Sequence, residues 1–66
     1  MRKFYNHFNK GDEIYDAANA RVLIVIDRSR DVYQCGVYEI DDAGNMEYVD
    51  DQLFTHHELA LMEAYQ

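Results

Sequence analysis

The amino-acid sequence predicts a mainly β (α+β) domain, in which four to five short strands form a small barrel or a strongly curved antiparallel sheet and one helix follows at the C-terminus. Stretches rich in β-branched and aromatic residues alternate with short polar turns, which is typical of antiparallel sheets. A glycine interrupts the longest of these stretches and indicates a bent strand. An apolar segment behind a threonine cap predicts the helix. At 66 residues, the chain is expected to form one domain over residues 1–66.

The N-terminal part is predicted to contain an aromatic arm, a turn and a short strand. Phe4 and Phe8 in the arm (residues 1–10) are four positions apart, which fits one helical turn or an irregular segment that lays both rings on the core. Asn9–Asp12 is predicted to be a turn, because Asn and Asp satisfy local main-chain groups and glycine accepts a positive φ. Glu13–Asp16 is then the first short strand.

Two longer strands are predicted in the middle of a β-rich body that spans residues 12–54. Arg21–Ile26 is rich in β-branched residues and apolar on both faces, so we expect it to be the central strand. Asp27–Asp31 is predicted to be a polar turn. Val32–Ile40 is the next strand, and Gly36 in its middle predicts a bulge or a sharp bend.

The predicted fold ends in a hairpin and a helix. Asp41–Asn45 is the hairpin loop, and Met46–Val49 is the returning strand. Thr55 and Glu58 have the spacing of a capping box, in which each side chain bonds a free main-chain N–H at the start of a helix. The helix is predicted over residues 56–65 and should lie against the sheet. Its apolar stripe consists of Leu59, Leu61, Met62 and Tyr65.

Composition and cysteine usage predict a folded cytoplasmic protein. An apolar fraction of 48%, with six Tyr and three Phe, is enough for a compact core. Cys35 is the one cysteine, so an internal disulfide is impossible and a reducing cytoplasm is the expected compartment. The longest apolar run, Val22–Ile26, is far shorter than the roughly 18 residues of a membrane span, so we expect no membrane association.

The residue types that carry catalytic or metal chemistry are present without the spacing that such chemistry requires. His7, His56 and His57 lack the pair of histidines four residues apart that forms a zinc face on a helix, and the two adjacent ones are interpreted as surface residues at the helix start. Asp41–Asn45 lacks the ligand spacing of a calcium loop. Cys35 lies in an apolar strand with no cation beside it to activate the thiol. We therefore expect no enzymatic activity, no cofactor and no metal.

Charge is distributed unevenly along the chain. All six Lys and Arg residues lie in the first 30 residues, against four acids, whereas the last 36 residues carry nine acids and no Lys or Arg. Five of these acids cluster with one tyrosine around the predicted hairpin. Such a patch suits a basic groove on a partner protein, because charge raises the association rate and the ring contributes contact area. The predicted protein-binding residues are Asp41, Asp42, Glu47, Tyr48, Asp50 and Asp51.

Three hypotheses about function follow from this distribution of charge. The first is a protein-binding module, an accessory or modulator of a larger protein with a basic surface. The second is a nucleic-acid-mimicking inhibitor that blocks a DNA- or RNA-handling enzyme. The third is a structural homo-oligomer, in which the basic N-terminal segment of one chain meets the acidic hairpin of another. Direct binding of nucleic acid is not expected, because phosphates repel a chain with a formal net charge of −7.

Two short motifs, Lys10–Tyr15 near the start and Leu53–Leu59 near the end, resemble those of small SH3-like proteins of phages and mobile elements. The segment Lys10–Tyr15 has the Gly-Asp turn and hydrophobic strand with which such chains open, and Leu53–Leu59 has the Phe-Thr capped helix with which they close. The resemblance implies an SH3-like barrel and an accessory protein of mobile-element origin. It implies no active-site residues.

Overall fold

The computed structural model describes residues 7–64 and contains an open antiparallel sheet of four strands with one C-terminal helix. The strands follow one another across the sheet in chain order, each antiparallel to its neighbour. The predicted mainly β fold is therefore confirmed, in the form of a sheet that does not close into a barrel. The elements are β1 (Glu13–Asp16), a 3-10 turn (Ala17–Asn19), β2 (Arg21–Ser29), β3 (Val32–Ile40), β4 (Met46–Thr55) and α1 (His56–Ala64).

Strand β2 lies between β1 and β3, in agreement with the prediction from its two apolar faces. It continues through residues 27–29, which pair with residues 32–34 of β3. The predicted polar turn at 27–31 is thereby reduced to Arg30 and Asp31. Arg30 has a φ of 58°, in the left-handed region, which helps so short a connection to reverse the chain. Cross-strand pairing, rather than local polarity, decides where this strand ends.

The irregularities of the sheet lie beside Gly36 rather than at it. Of the bulge or sharp bend predicted at Gly36, the bulge is wrong, because Gly36 keeps its partners on β2 and β4 in regular register. The extra residues are Ile26 in β2 and Val49 in β4. The glycine makes room for an aromatic ring instead, because a Cβ atom there would lie 3.2 Å from Cε1 of Tyr38.

Strand β4 is longer than its sequence predicts. The returning strand is predicted over Met46–Val49, whereas β4 runs to Thr55. Residues 50–52 have low strand propensity, but they pair in register with β3, and their position at the edge of the sheet leaves the two aspartates in water. Phe54 anchors the far end because its side chain is buried in the core.

Helix α1 begins at the predicted capping box. The main-chain N–H of Glu58 donates to Oγ1 of Thr55 at 3.2 Å, and the N–H of Thr55 donates to Oε1 of Glu58 at 2.8 Å. Two of the main-chain donors at the helix start are thereby satisfied. Residue 65, the predicted end of the helix, lies outside the described residues.

The predicted apolar stripe of α1 is only partly confirmed. Leu59 is fully buried and Met62 packs against the core, but Leu61 is exposed. Leu61 lies two positions after Leu59, and a helix turns by about 200° over two residues, which directs the two side chains apart. Tyr65 lies outside the described residues.

The hydrophobic core fills one side of the sheet, which we call the helix side because α1 packs there; the opposite side is the outer face. Phe8 is buried in this core, as expected for the aromatic arm, and Phe4 lies outside the described residues. Each of the four strands and α1 contribute to it. The core residues are Phe8, Ile14, Leu23, Val25, Tyr33, Cys35, Val37, Phe54 and Leu59.

Candidate protein-binding surface

The outer face of the sheet carries a row of aromatic and β-branched side chains. Successive side chains of a strand point to opposite faces, and the register places one residue from each strand side by side. An antiparallel sheet that is open to solvent on one face usually has polar residues there, so an apolar row is a candidate contact surface. This row, which we call the tyrosine row, consists of Tyr15, Val22, Tyr38 and Tyr48.

The middle of the tyrosine row is packed, and its Tyr48 end is exposed. The rings of Tyr38 and Tyr48 have centroids 5.5 Å apart and meet edge to face. Val22, between Tyr15 and Tyr38, is only 9% exposed. Tyr48 at the β4 end of the row is 53% exposed, so much of its ring is free to contact another molecule.

Asp51 lies beside Tyr48 on the same face, and both oxygens of its carboxylate accept hydrogen bonds. The hydroxyl of Tyr48 donates to Oδ1 at 2.8 Å, and Nε2 of Gln34 donates to Oδ2 at 3.4 Å. The hydrogen bond to Asp51 raises the pKa of Tyr48, and the charges of Asp51 and Asp50 add to that effect. The phenol of Tyr48 therefore stays a hydrogen-bond donor.

The neighbouring acids of β4 lie on the other side of the sheet. Asp50 is paired with Val37, a core residue, and Glu47 is paired with Glu39. Alternation therefore places Glu47 and Asp50 on the helix side, beyond the part that the core covers. Nε2 of Gln52 donates to Oδ1 of Asp50 at 3.1 Å, along the same side of the strand.

Asp41 and Asp42 lie in the hairpin loop, and Asp41 organises it. Its Oδ1 accepts the main-chain N–H groups of Ala43 at 3.0 Å and Asn45 at 2.8 Å. Gly44 has a φ of 86°, which favours glycine, and its N–H donates to the Asp41 carbonyl. Asp42 is exposed at the tip. The six predicted binding residues thus occupy three places, namely the loop, the outer face and the helix side.

A shallow depression continues the outer face beyond Asp51, toward the β2–β3 turn. Gln34 in its wall is the residue that donates to Asp51, and Leu53 is 69% exposed at its rim. The outer face therefore offers apolar contact area on both sides of the carboxylate. The depression is lined by Asp27, Arg28, Ser29, Val32, Gln34 and Leu53.

His56 is not the plain surface histidine that the sequence predicts. Its Nδ1 lies 3.2 Å from the hydroxyl of Tyr33, and Nδ1 of His7 lies 3.3 Å from the same oxygen. The hydroxyl also accepts the main-chain N–H of Phe8 at 3.3 Å. Because a phenol has one hydrogen, at most one imidazole can accept it. The cluster ties His7 and Phe8 to β3 and α1.

Within the described residues, neither the possible metal ligands nor Cys35 lies in surroundings that favour chemistry. Within residues 7–64, no three His, Cys, Asp or Glu side chains come together as metal ligands. Cys35 is fully buried in the core, and burial raises the pKa of its thiol to about 11. The thiol is therefore protonated at neutral pH and shielded from reagents, as expected for a core cysteine.

A buried ion pair joins β1 to β2 and was not predicted as a site. Oδ2 of Asp16 accepts hydrogen bonds from Nε of Arg21 at 2.8 Å and from Nδ2 of Asn19 at 2.9 Å. Burial by itself raises the pKa of Asp16, but these hydrogen bonds and the charge of Arg21 outweigh it, so the pKa lies below 3.8. The guanidinium of Arg21 also lies over the ring of Phe54, 5.7 Å from its centroid.

The sequence contains a signal for the ion pair but none for the tyrosine row. Ile14 and Asp16 are two positions apart in β1, so strand alternation puts a carboxylate on the side of the core, where it needs a cation. The tyrosine row depends on three strand registers, and residue order alone does not specify them. Tyr48 was therefore predicted to bind a partner without Tyr15 and Tyr38.

Comparison of the chain with protein-family models, with curated proteins and with solved structures finds no match. Among residues 7–64, no helix has the length and apolar character required to cross a membrane.

Proposed function

We propose that this protein is a non-enzymatic protein-binding module, an accessory or modulator of a larger protein, and that the β3–β4 hairpin engages a basic surface of that partner. The observation that supports the proposal most directly is the pairing of Tyr48 with Asp51. An exposed ring and a charged carboxylate, held together by a 2.8 Å hydrogen bond, offer apolar area and negative charge at one place.

The distribution of charge supports a basic partner. No Lys or Arg follows Arg30 in the sequence, so nothing on the hairpin neutralises its acids from within the same segment. A negative surface attracts a positive one over about 8–10 Å in physiological salt, which raises the association rate. The partner is expected to present Lys or Arg next to an apolar patch that accepts the Tyr48 ring.

Two double variants with equal net charge test this proposal. Asp50→Asn with Asp51→Asn changes the hairpin, and Glu13→Gln with Asp31→Asn removes two charges elsewhere, so each protein has a formal charge of −5 (−7 plus 2). Asparagine keeps the oxygen that accepts from Tyr48 or Gln52. The measurement is quantitative affinity capture from host lysate in low and high salt. The hairpin variant is expected to lose the salt-sensitive partner, and the control variant is expected to retain it.

Equal capture by both variants would contradict the proposal. Duplex DNA added to the same capture addresses the nucleic-acid-mimic hypothesis. If DNA displaces this protein from its partner, the hairpin occupies a nucleic-acid site. If DNA has no effect at low salt, the partner binds this protein through another basic surface.

A second candidate function is a structural homo-oligomer, and the exposed apolar side chains of the outer face favour it. Tyr15, Ile26 and Leu53 are each at least 40% exposed, and a second copy packed on that face would bury them. Sedimentation equilibrium at low salt tests this candidate. A monomer at high micromolar concentration would exclude it.

A further inference from the structure

Within residues 7–64, strand β4 has a free edge. It is last in the strand order, and its ten residues make it the longest strand of the sheet. The opposite edge, β1, has four residues, and α1 packs on it. In the described part of the chain, the outward main-chain groups of β4 pair with no other strand, although the N–H of Thr55 at its end already donates to Glu58. The edge of β4 is therefore a row of N–H and C=O groups that another chain can pair with.

The side chains of β4 disfavour a second copy as the partner at this edge. If β4 paired with β4 of another molecule, Glu47, Asp50 and Asp51 of the two chains would be brought close together. Like charges opposite one another destabilise a sheet, and each chain already has a formal net charge of −7.

The same side chains suit a basic strand. An added strand directs its side chains alternately to the two faces of the sheet. Acids flank the edge on both faces, with Asp51 on the outer face and Glu47 and Asp50 on the helix side. The alternation that divides the predicted acidic patch therefore gives this edge negative charge on each side. A partner that docked only on the outer face would meet Asp51 and leave the other two acids without a role.

We infer that β4 accepts an extended segment of the partner, with Lys or Arg on both of its faces, as a fifth strand of the sheet. Main-chain hydrogen bonds along β4 supply the register, and the acids on the two faces select the basic segment. Tyr48 offers a ring against which the stem of a Lys or Arg side chain can lie. The inference rests on the proposed function, because it takes the partner to be basic.

A pair of synthetic peptides tests strand addition separately from charge. The first peptide consists of valine and lysine and has about ten residues, to match the length of β4. Its lysines occupy both odd and even positions, so that they reach both faces of the sheet. The other has the same sequence with alternate amide nitrogens methylated, so it keeps the charge but loses main-chain donors. We expect the methylated peptide to bind about tenfold or more weakly, because several hydrogen bonds are lost. The unmodified peptide should also slow the hydrogen exchange of β4 amides.

Equal affinity of the two peptides would overturn the inference and leave the proposal of a basic partner intact. No binding of either peptide would also overturn it, and the capture experiment above would then decide separately whether a basic partner exists. The variants Asp50→Asn and Asp51→Asn give a second test, because these adjacent residues lie on opposite faces. Each variant is expected to lower the affinity for the unmodified peptide by a similar factor of about two to five. If only Asp51→Asn lowered the affinity, the peptide would lie on the outer face and the inference would be overturned.

Discussion

The two sides of the sheet use similar residue types in opposite ways. The helix side buries Leu23, Val25 and Tyr33 together with Phe8 and α1, whereas the outer face leaves Tyr15 and Tyr48 partly in water. One short helix covers only one side of a four-stranded sheet. Contiguous apolar side chains left at a surface are typical of contact sites, so the difference between the sides supports the binding surface that we propose.

The tyrosine hydroxyls of the two sides differ in the same way, since one is buried and the other is exposed. The hydroxyl of Tyr33 is buried and lies within 3.3 Å of three nitrogen atoms, from Phe8, His7 and His56. The hydroxyl of Tyr48 has one partner, Asp51, and lies at the surface. A buried group must be satisfied by the fold, while an exposed group can exchange its partner for a ligand.

A pair of leucine substitutions is expected to give the largest difference between the two sides. Leu23→Ala removes a fully buried side chain and should lower the free energy of unfolding by about 2–5 kcal/mol. Leu53→Ala, at a residue that is 69% exposed, should change it by about 0.5 kcal/mol or less. Urea denaturation of the two variants measures both values. Equal losses would mean that the outer face is packed as tightly as the core.

Asp16→Asn is expected to have the next largest effect, because it removes the charge from a buried hydrogen bond with Arg21. A loss of about 2 kcal/mol at neutral pH is expected, since hydrogen bonds to charged groups contribute about 1.5–3 kcal/mol. The matched substitution on the exposed part of the sheet, Asp50→Asn, should leave stability nearly unchanged. A similar loss in both variants would show that overall charge, rather than the buried pair, is responsible.

The stability difference between the wild-type protein and Asp16→Asn should also depend on pH. The pKa of folded Asp16 lies below 3.8, so its contribution to stability is fully present above that value and is lost as the pH falls through the folded pKa. Urea denaturation of both proteins from about pH 7 to about pH 3 measures the difference. The difference should be constant near neutrality and shrink in acid. A constant difference over the whole range would contradict the assignment.

Tyr33→Phe is expected to give the smallest of these losses, about 1–2 kcal/mol. The substitution keeps the ring in the core but removes the oxygen that accepts from Phe8 and contacts both histidines. Tyr48→Phe, the matched change on the outer face, should leave stability nearly unchanged. Thermal unfolding followed by circular dichroism compares the two. If Tyr48→Phe were the more damaging change, the outer face would have a structural role.

Local chemistry was sufficient to predict several elements, because their causes lie within a few residues. The cap formed by Thr55 and Glu58, the Asp41–Asn45 loop and the strand Glu13–Asp16 all lie where the sequence predicts them. The end of β4 was not predictable in this way. Residues 50–52 have the composition of a turn, and only their pairing with β3 keeps them in a strand.

The candidate surface was also predictable only in part. The sequence identified Tyr48 and the hairpin acids from composition, but it grouped acids that the strand alternation separates onto two faces. The extra residue at Val49 helps to set that division, since a bulge shifts the alternation of every residue after it. A bulge arises from the pairing of two strands and has no local signature here.

Residue order and type were enough to predict the mainly β fold class, and they set the division of charge and the absence of Lys and Arg after Arg30. The fold class follows from the spacing of apolar stretches and turns, and the charges follow from the composition of each segment. The tertiary structure decided which tyrosines form a row, which acids flank the edge of β4, and that Asp16 is buried with Arg21. Those outcomes depend on strand register and on the side that α1 covers, which only long-range packing can select.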